Sequence, residues 1–216
     1  STIVGDVEID ARIMAQGIGA NAGNDPVQAA IMSKAKSVAR LYQGAMISGT
    51  AAGGQFDGLK TLVTADQKVA GGALSFEKLD EMLGKVKSKG GQVDALIMCE
   101  RDIRTLRALK RALGGSSESD RVMVNGVNVE AYAGVPVLRN DWIVPNAGES
   151  DVYAVNFEDG GKTGITGFVD QFGNSIQVEN VGPMESKDQH LIRVKFYAGF
   201  GLYNNLGVSM IEGVTA

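Results

Sequence analysis

Residues 25–62 read DPVQAAIMSKAKSVARLYQGAMISGTAAGGQFDGLKTL. Asp25 stands where a side chain can accept from the first free amide groups of a helix, and Pro26 occupies the first helical position, where a missing N–H costs nothing. Apolar residues then recur at helical spacing: Val27, Ala30, Ile31, Ala35, Val38, Ala39, Tyr42, Ala45 and Met46. Lys34, Lys36 and Arg40 lie mostly off that stripe. The pattern fades at Ile47, and Gly49 is placed to end it. The spacing predicts a helix of about 22 residues, ~33 Å long at 1.5 Å per residue, which is long for the chain that carries it. A turn rich in glycine (Gly49, Gly53, Gly54) follows, and then Gln55-Phe56-Asp57-Gly58-Leu59-Lys60. Taken alone, the stretch is a long amphipathic core helix and a loop.

Upstream, Ser1 to Arg12 alternates. Val7 and Ile9 point one way and Asp6, Glu8 and Asp10 the other, as in a strand. Three carboxylates on one face fit a solvated strand surface. They also fit a hard cation, or docking onto a basic patch of a neighbouring subunit. No further oxygen-rich loop lies nearby, which favours the solvated face over the cation. Ala15 to Asn24 is a loop of small residues. Its Gly17-Ile18-Gly19 follows an acidic strand and has the wrong spacing to Gly23 for a dinucleotide-binding turn.

Downstream, Val63 to Gly72 reads as loop. Ser75 caps a second helix from Phe76 to about Lys89, with Phe76, Leu79, Met82, Leu83 and Val86 inward and Gly90-Gly91 as its stop. Glu77, Asp80 and Glu81 in its early turns and Lys85, Lys87 and Lys89 in its last match the helix dipole. The apolar run Val93 to Cys99 predicts a buried strand. A third helix is expected from Asp102 to Leu113, with Ile103, Leu106, Leu109 and Leu113 inward. Arg101, Arg104, Arg107, Lys110 and Arg111 are spaced by three and four, which places most of them on one face. Such a face is solvated, or meets phosphate or an acidic partner. Gly114-Gly115-Ser116-Ser117 begins a mobile loop.

Strands dominate the remainder: Val127 to Tyr132, Val135 to Leu138, Val152 to Phe157, Ser175 to Val181 and Gln189 to Tyr203. Gly134-Val135-Pro136-Val137 predicts an edge strand. Asp159-Gly160-Gly161 and Phe172-Gly173-Asn174 are turn signals. In the last strand Leu191, Arg193, Lys195 and Tyr197 oppose Ile192, Val194, Phe196 and Ala198, giving one basic and one apolar face. The class is α+β. Charge is unevenly spread: Asp141 to Asp188 holds nine carboxylates and two lysines, whereas the second and third helices are net basic. That asymmetry suits head-to-tail contacts between copies of one chain.

Composition narrows the function. The 216 residues are 44% hydrophobic and 21% charged, as in ordinary globular proteins, so a sizeable core can form. A net charge of −4 argues against a dedicated nucleic-acid binder, which needs a basic surface. One cysteine, Cys99, allows no intrachain disulfide, and with a single histidine, His190, it makes no cysteine–histidine zinc site. No membrane-spanning apolar run and no secretory signal are present. A Cys99/His190 pair is conceivable, but a buried thiol is the simpler reading. No nucleophile elbow, phosphate-binding loop or zinc-protease helix appears. Trp142, after Asp141, is either a binding platform or a half-buried anchor. No cofactor, metal or catalytic residue is expected.

The order of an acidic strand, a long capped helix, a small-residue turn and Phe56-Asp57-Gly58-Leu59 resembles the major capsid proteins of tailed double-stranded DNA phages. Ala133 to Leu138 with Asn140-Asp141 is similar to a segment of that family's axial domain, and Val93 to Glu100 with the helix after it to the domain's central strand and flanking helix. Arg193 to Phe200 resembles the late long strand, and Gly5 to Asp10 the return strand of the extended loop. The resemblance implies the Hong-Kong-97-type capsid fold, with an extended loop (1–24), a peripheral domain with the spine helix (25–63 and 185–203) and an axial domain (64–184 and 204–216). It implies hexamers and pentamers that tile an icosahedral shell in the virion, assembled in the host cytoplasm. Scaffold and portal proteins would be partners, with only non-specific proximity to packaged DNA. Asp6, Glu8, Asp10, Lys34, Lys36, Arg40, Arg104, Arg107 and Arg111 are the candidate subunit-interface residues. The family's arm and outgoing loop strand do not precede Ser1, so a cleaved, truncated or shorter relative is implied, with Asp6 to Arg12 left as an unpaired edge. Some members crosslink a loop lysine to a neighbour's asparagine. The first lysine here is Lys34, inside the helix, so no crosslink is expected. The rival readings are an encapsulin-type nanocompartment shell, a small α+β enzyme and a monomeric binding domain.

Overall fold

The computed structural model describes residues 2–13, 25–88, 91–114, 121–157, 161, 164–170 and 176–215. The expected loops at 15–24 and 115–117, and most of the turn signals at 159–161 and 172–174, lie outside the described residues. The chain divides into two compact units, Ser1–Asp57 with Gly167–Phe200, and Gly58–Thr166 with Gly201–Ala216.

The first unit is a helix on a sheet. Strand β1 (Thr2–Asp10) precedes the long helix α1 (Pro26–Ser48). Asp25 caps α1 by accepting from the Val27 amide, and Gly49 ends it, its N–H donating to Ala45 O at 2.8 Å. Strand β10 (Gln189–Leu202) lies between β1 on one side and β8 (Ile165–Val169) and β9 (Gln177–Pro183) on the other. β1 and β10 are antiparallel with an unbroken register from Thr2↔Tyr197 to Asp10↔Gln189. Of Asp6 to Arg12, expected as an unpaired edge, Asp6 to Asp10 are laddered along one flank, while β1 remains the terminal strand of this sheet among the described residues. The cause is β10, whose sequence is long enough to serve partners on both sides. The alternation read from sequence holds in both strands: Ile3, Ile9, Ile192, Val194, Phe196 and Ala198 are buried, and Val38 of α1 clusters with Ile3, Val194, Phe196 and Ala198. At the end of α1, Tyr42 meets Phe196 edge-on at 5.1 Å and Phe56 at 5.5 Å, and donates to Gly199 O at 3.2 Å. Phe56 of the Phe-Asp-Gly-Leu run is thus a half-buried aromatic packed against Tyr42 and Phe200. Asp57 accepts from the Ala51 amide at 2.9 Å and closes the glycine-rich turn.

The second unit is built on a seven-stranded sheet, in the order β2-β11-β7-β3-β6-β5-β4. Its strands are β2 (Lys68–Ala73), β3 (Ala95–Met98), β4 (Arg121–Val124), β5 (Val127–Tyr132), β6 (Val135–Arg139), β7 (Glu149–Val155) and β11 (Val208–Thr215). Helices α2 (Phe76–Lys87) and α3 (Glu100–Ala112) pack on it. Leu79, Met82, Leu83, Val86, Ile103 and Leu106 form one core with Leu96, Met98, Val152, Ala154 and Ile211. Each buried leucine, isoleucine, valine or methionine among them contributes about 1.5–3 kcal/mol by removal from water.

Two expectations fail here. Val63 to Gly72, read as loop, contains a helical turn at Ala65–Gln67 and most of β2, which pairs in parallel with β11. A Cβ on Gly71 would collide with Glu212 O and Gly213 O, so the glycines that masked the strand are what let it approach its partner. Strand β6 is not an edge: it pairs with β3 in parallel and β5 antiparallel. Pro136 is tolerated because the β3 ladder begins at Val137, one residue beyond it.

Candidate assembly interface

The nine charged candidates occupy three surfaces. On the outer face of the first sheet, register sets Asp6 directly opposite Arg193. The guanidinium grips the carboxylate with two bonds, Nε–Oδ1 at 2.8 Å and Nη2–Oδ2 at 3.1 Å. Glu8 pairs with Lys187 at 3.2 Å, and Asp10 accepts from the Arg12 amide at 2.8 Å. On the other flank of β10, Glu179 of β9 stands opposite Arg193 and forms an ion pair with Lys195. The result is a charge ladder across three strands: Asp6, Arg193, Glu179 and Lys195. The hydrogen bond from Arg193 holds the Asp6 carboxyl below its ordinary range, and the bond from Lys195 does the same for Glu179. The cations respond in the opposite sense, both raised by their carboxylate partners.

On α1 the three cations part company. The stem of Lys34 lies over β1, so that a Cβ on Gly5 would meet Lys34 Cγ and Cδ at 3.2 Å, and its charge helps lower Asp6. Lys36 and Arg40 are exposed one turn apart, with no ion pair or hydrogen bond among the described residues.

On α3 the expected basic face narrows. Arg101 turns inward, where its guanidinium donates to Gly148 O at 2.5 Å, Ser150 Oγ at 2.7 Å and Val214 O at 2.8 Å. Beside it Asp102, fully buried, accepts from Ser150 Oγ at 2.5 Å and from Arg101 Nε at 3.2 Å. This network ties the first turn of α3 to β7 and β11. Lys110 donates to Ala131 O at 2.6 Å. Arg107 pairs with Glu130 at 2.7 Å, on the rim of a groove of about 350 Å³ whose lining includes Ile103, Val129 and Val137. Among the described residues of this face, Arg104 and Arg111 point outward without a carboxylate, each bonding a carbonyl of its own helix.

The candidates therefore fall into two kinds. Asp6, Glu8 and Arg107 are answered by ion pairs within the chain and Asp10 by a backbone amide, while Lys34 lies over β1 without an ion pair among the described residues. Lys36, Arg40, Arg104 and Arg111 leave their charge to be met from outside. Sequence reasoning did not find the partners Arg193, Lys187, Glu130 and Glu179 of this set as partners, because each pairing depends on strand or helix register. It also missed exposed apolar positions that suit a contact surface. Met123 (69% exposed) and Val127 (64%) flank the Asn125-Gly126 hairpin turn, and Val144 (70%) stands beside Trp142 (37%) in the loop before β7. The apolar residues on both sides of an Asn-Gly turn were the available signal. Cys99 is a buried free thiol at the start of α3.

A family model described as SU10 major capsid protein matches residues 13–158. No curated protein sequence matches the chain. Among solved structures, the holo-SrpI encapsulin complex from Synechococcus elongatus PCC 7942 is similar with a TM-score of 0.85 at 16% identity, over 100% of this chain and 74% of that one. The capsid of a native GTA particle matches with a TM-score of 0.70 at 15% identity, over 100% and 72% of the two chains. The Microbacterium phage Oxtober96 structure matches with a TM-score of 0.66 at 14% identity, over 100% and 72%. At these identities the likeness shows a shared fold, the Hong-Kong-97-type capsid fold.

Proposed function

The chain belongs to the SU10 major capsid protein family, and from that premise, which makes it a structural subunit of a capsid shell in the virion, we propose that it closes an icosahedral phage head from hexamers and pentamers around double-stranded DNA. The observation that carries this reading is the family match across 13–158, which holds the spine helix and most of the second unit. Assembly in the host cytoplasm, with scaffold and portal proteins as partners, belongs to the same proposal. So does the division of labour: an extended loop at 1–24, a peripheral domain at 25–63 and 185–203, and an axial domain at 64–184 and 204–216. The role is mechanical, and among the described residues Lys36, Arg40, Arg104 and Arg111 are outward candidate cations without a carboxylate partner, available as charged contacts to neighbours or contents.

The likeness to an encapsulin is one of fold, and a nanocompartment shell is the reading it keeps in view. Particles purified from producing cells and treated with nuclease separate the two. Protected double-stranded DNA is the expected result. Particles that hold a protein cargo and no protected DNA would replace the phage head with a nanocompartment.

A further inference from the structure

Strands β4 and β5 form a ribbon that ends in the turn Asn125-Gly126, where both residues have positive φ, 49° and 80°. Such angles make the tight hairpin turn that Asn-Gly favours, so the tip is stiff. In the ladder Met123 stands opposite Asn128, and Val124 opposite Val127. Paired residues share a face and successive residues alternate, so Met123 lies on one face of the ribbon and Val127 on the other. Both are exposed. A Cβ on Gly126 would meet nothing within 4 Å, and the Asn125 side chain makes no hydrogen bond among the described residues. The tip is therefore a wedge, apolar on both faces with an amide at its point. A flat surface covers one face of a wedge, whereas a slot covers both.

The same unit carries a slot. The groove of about 350 Å³ beside α3 has Ile103, Val129, Val137 and Leu138 in its lining. Two ion pairs border it, Arg107 with Glu130 at 2.7 Å and Arg139 with Glu100 at 3.5 Å, and both guanidinium groups stay exposed. Guanidinium and carboxylate side by side match the acceptor and donor of an asparagine amide. The groove runs along the flank of the same hairpin, lined by Asn128 to Glu130, and the extended backbone of the ribbon keeps its own tip out of it. The wedge that fits the groove is thus supplied by a second copy.

We propose that the Asn125-Gly126 tip of one copy seats in the groove between α3 and β5 of the next, with Met123 and Val127 against the apolar lining and Asn125 at the charged rim. The contact is heterologous: each copy gives a tip and receives one, and a rotation that closes the series makes a ring. The proposal rests on the shell reading above and adds which surfaces of neighbouring copies interlock.

Added cysteines test it in the full chain, where Cys99 is buried. Val127→Cys marks the tip and Leu138→Cys the groove; Arg139→Cys, exposed at the groove, is a second mark that spares the packing. Tip-marked and groove-marked chains are co-expressed, one with a longer tag so that a mixed dimer runs apart, then oxidised mildly and separated on a denaturing gel without reductant. A mixed dimer is expected from the co-expressed pair, and no dimer from either chain alone. Asn128→Trp, added to the groove-marked chain, fills the groove from an exposed position and should abolish the mixed dimer. Dimer from Val127→Cys alone overturns the proposal by setting tip against tip. So does a mixed dimer that survives Asn128→Trp, or no mixed dimer with either groove mark. Electron microscopy of the unaltered protein keeps the two readings apart. Shells without the mixed dimer overturn this contact alone, whereas a mixed dimer from a protein that forms no shell upholds the contact and counts against the shell reading.

Discussion

Replacing Asp102 by alanine tests whether the polar network under α3 is a closed structural unit. Asp102 is 0% exposed and accepts two hydrogen bonds, from Ser150 Oγ and Arg101 Nε. Alanine removes the carboxylate and leaves the buried Ser150 hydroxyl without that acceptor. It also leaves the Arg101 guanidinium, 23% exposed, without its counter-charge. Breaking a buried ion pair from one side costs about 3–5 kcal/mol. Arg101 keeps Gly148 O and Val214 O as acceptors and some contact with solvent, which places the expected loss near the lower end, about 3 kcal/mol. For a chain of this size that corresponds to a fall in Tm of roughly 6–12 °C. Asp102→Asn keeps the shape and one acceptor, so about 1–3 kcal/mol is expected. Urea unfolding followed by tryptophan fluorescence and circular dichroism reads both. A loss below about 1 kcal/mol for Asp102→Ala would refute the reasoning, since it would mean that the network does not depend on the charge at its centre.

Three further outcomes follow from the same structure. Asp6 and Glu179 are held below the ordinary carboxylate range by Arg193 and Lys195, so their contribution is complete above about pH 5 and is lost progressively as pH falls through the ordinary carboxylate range and below it. The urea midpoint should be level from neutral pH down to about 5 and drop below about 4, and Arg193→Gln should reduce the part of that drop due to Asp6. An equal drop in the variant would contradict the pairing. Gln67 is 1% exposed with both side-chain polar atoms unpartnered among the described residues, so Gln67→Met should stabilise the chain by about 1–3 kcal/mol in urea titration; a destabilised variant would show that the amide is satisfied. Gly71→Ala drives a Cβ into two carbonyl oxygens of β11, and the expected loss of about 3 kcal/mol or more would be absent if β2 were not paired in parallel there.

The parts of the fold legible in the sequence are those whose pattern is local. The caps and periodicity of α1, the stripe of α2 and the alternation of β10 are each complete within one element, and the structure reproduces them to within a few residues. Strand β2 was not legible because Lys-Val-Ala-Gly-Gly-Ala has little strand propensity. Its conformation is imposed by β11, more than 130 residues away. Strand β11 hides for a related reason: a register shift between Ile211 and Val214, with Gly213 at φ +76°, interrupts the alternation that marks a strand. The charged surfaces were visible as residue types at suggestive spacings, but not as free or answered charges. Asp6 and Arg193 are 187 residues apart, and only the β1–β10 register joins them. Arg101 shows the limit of helical spacing, since a residue on the margin of a face swings inward when Ser150 and two carbonyls wait there.

Whether this chain forms a shell is decided by electron microscopy of the purified full-length protein. Closed shells, or pentameric and hexameric rings, are the predicted result. Uniform monomers that persist at high protein concentration would contradict the shell reading.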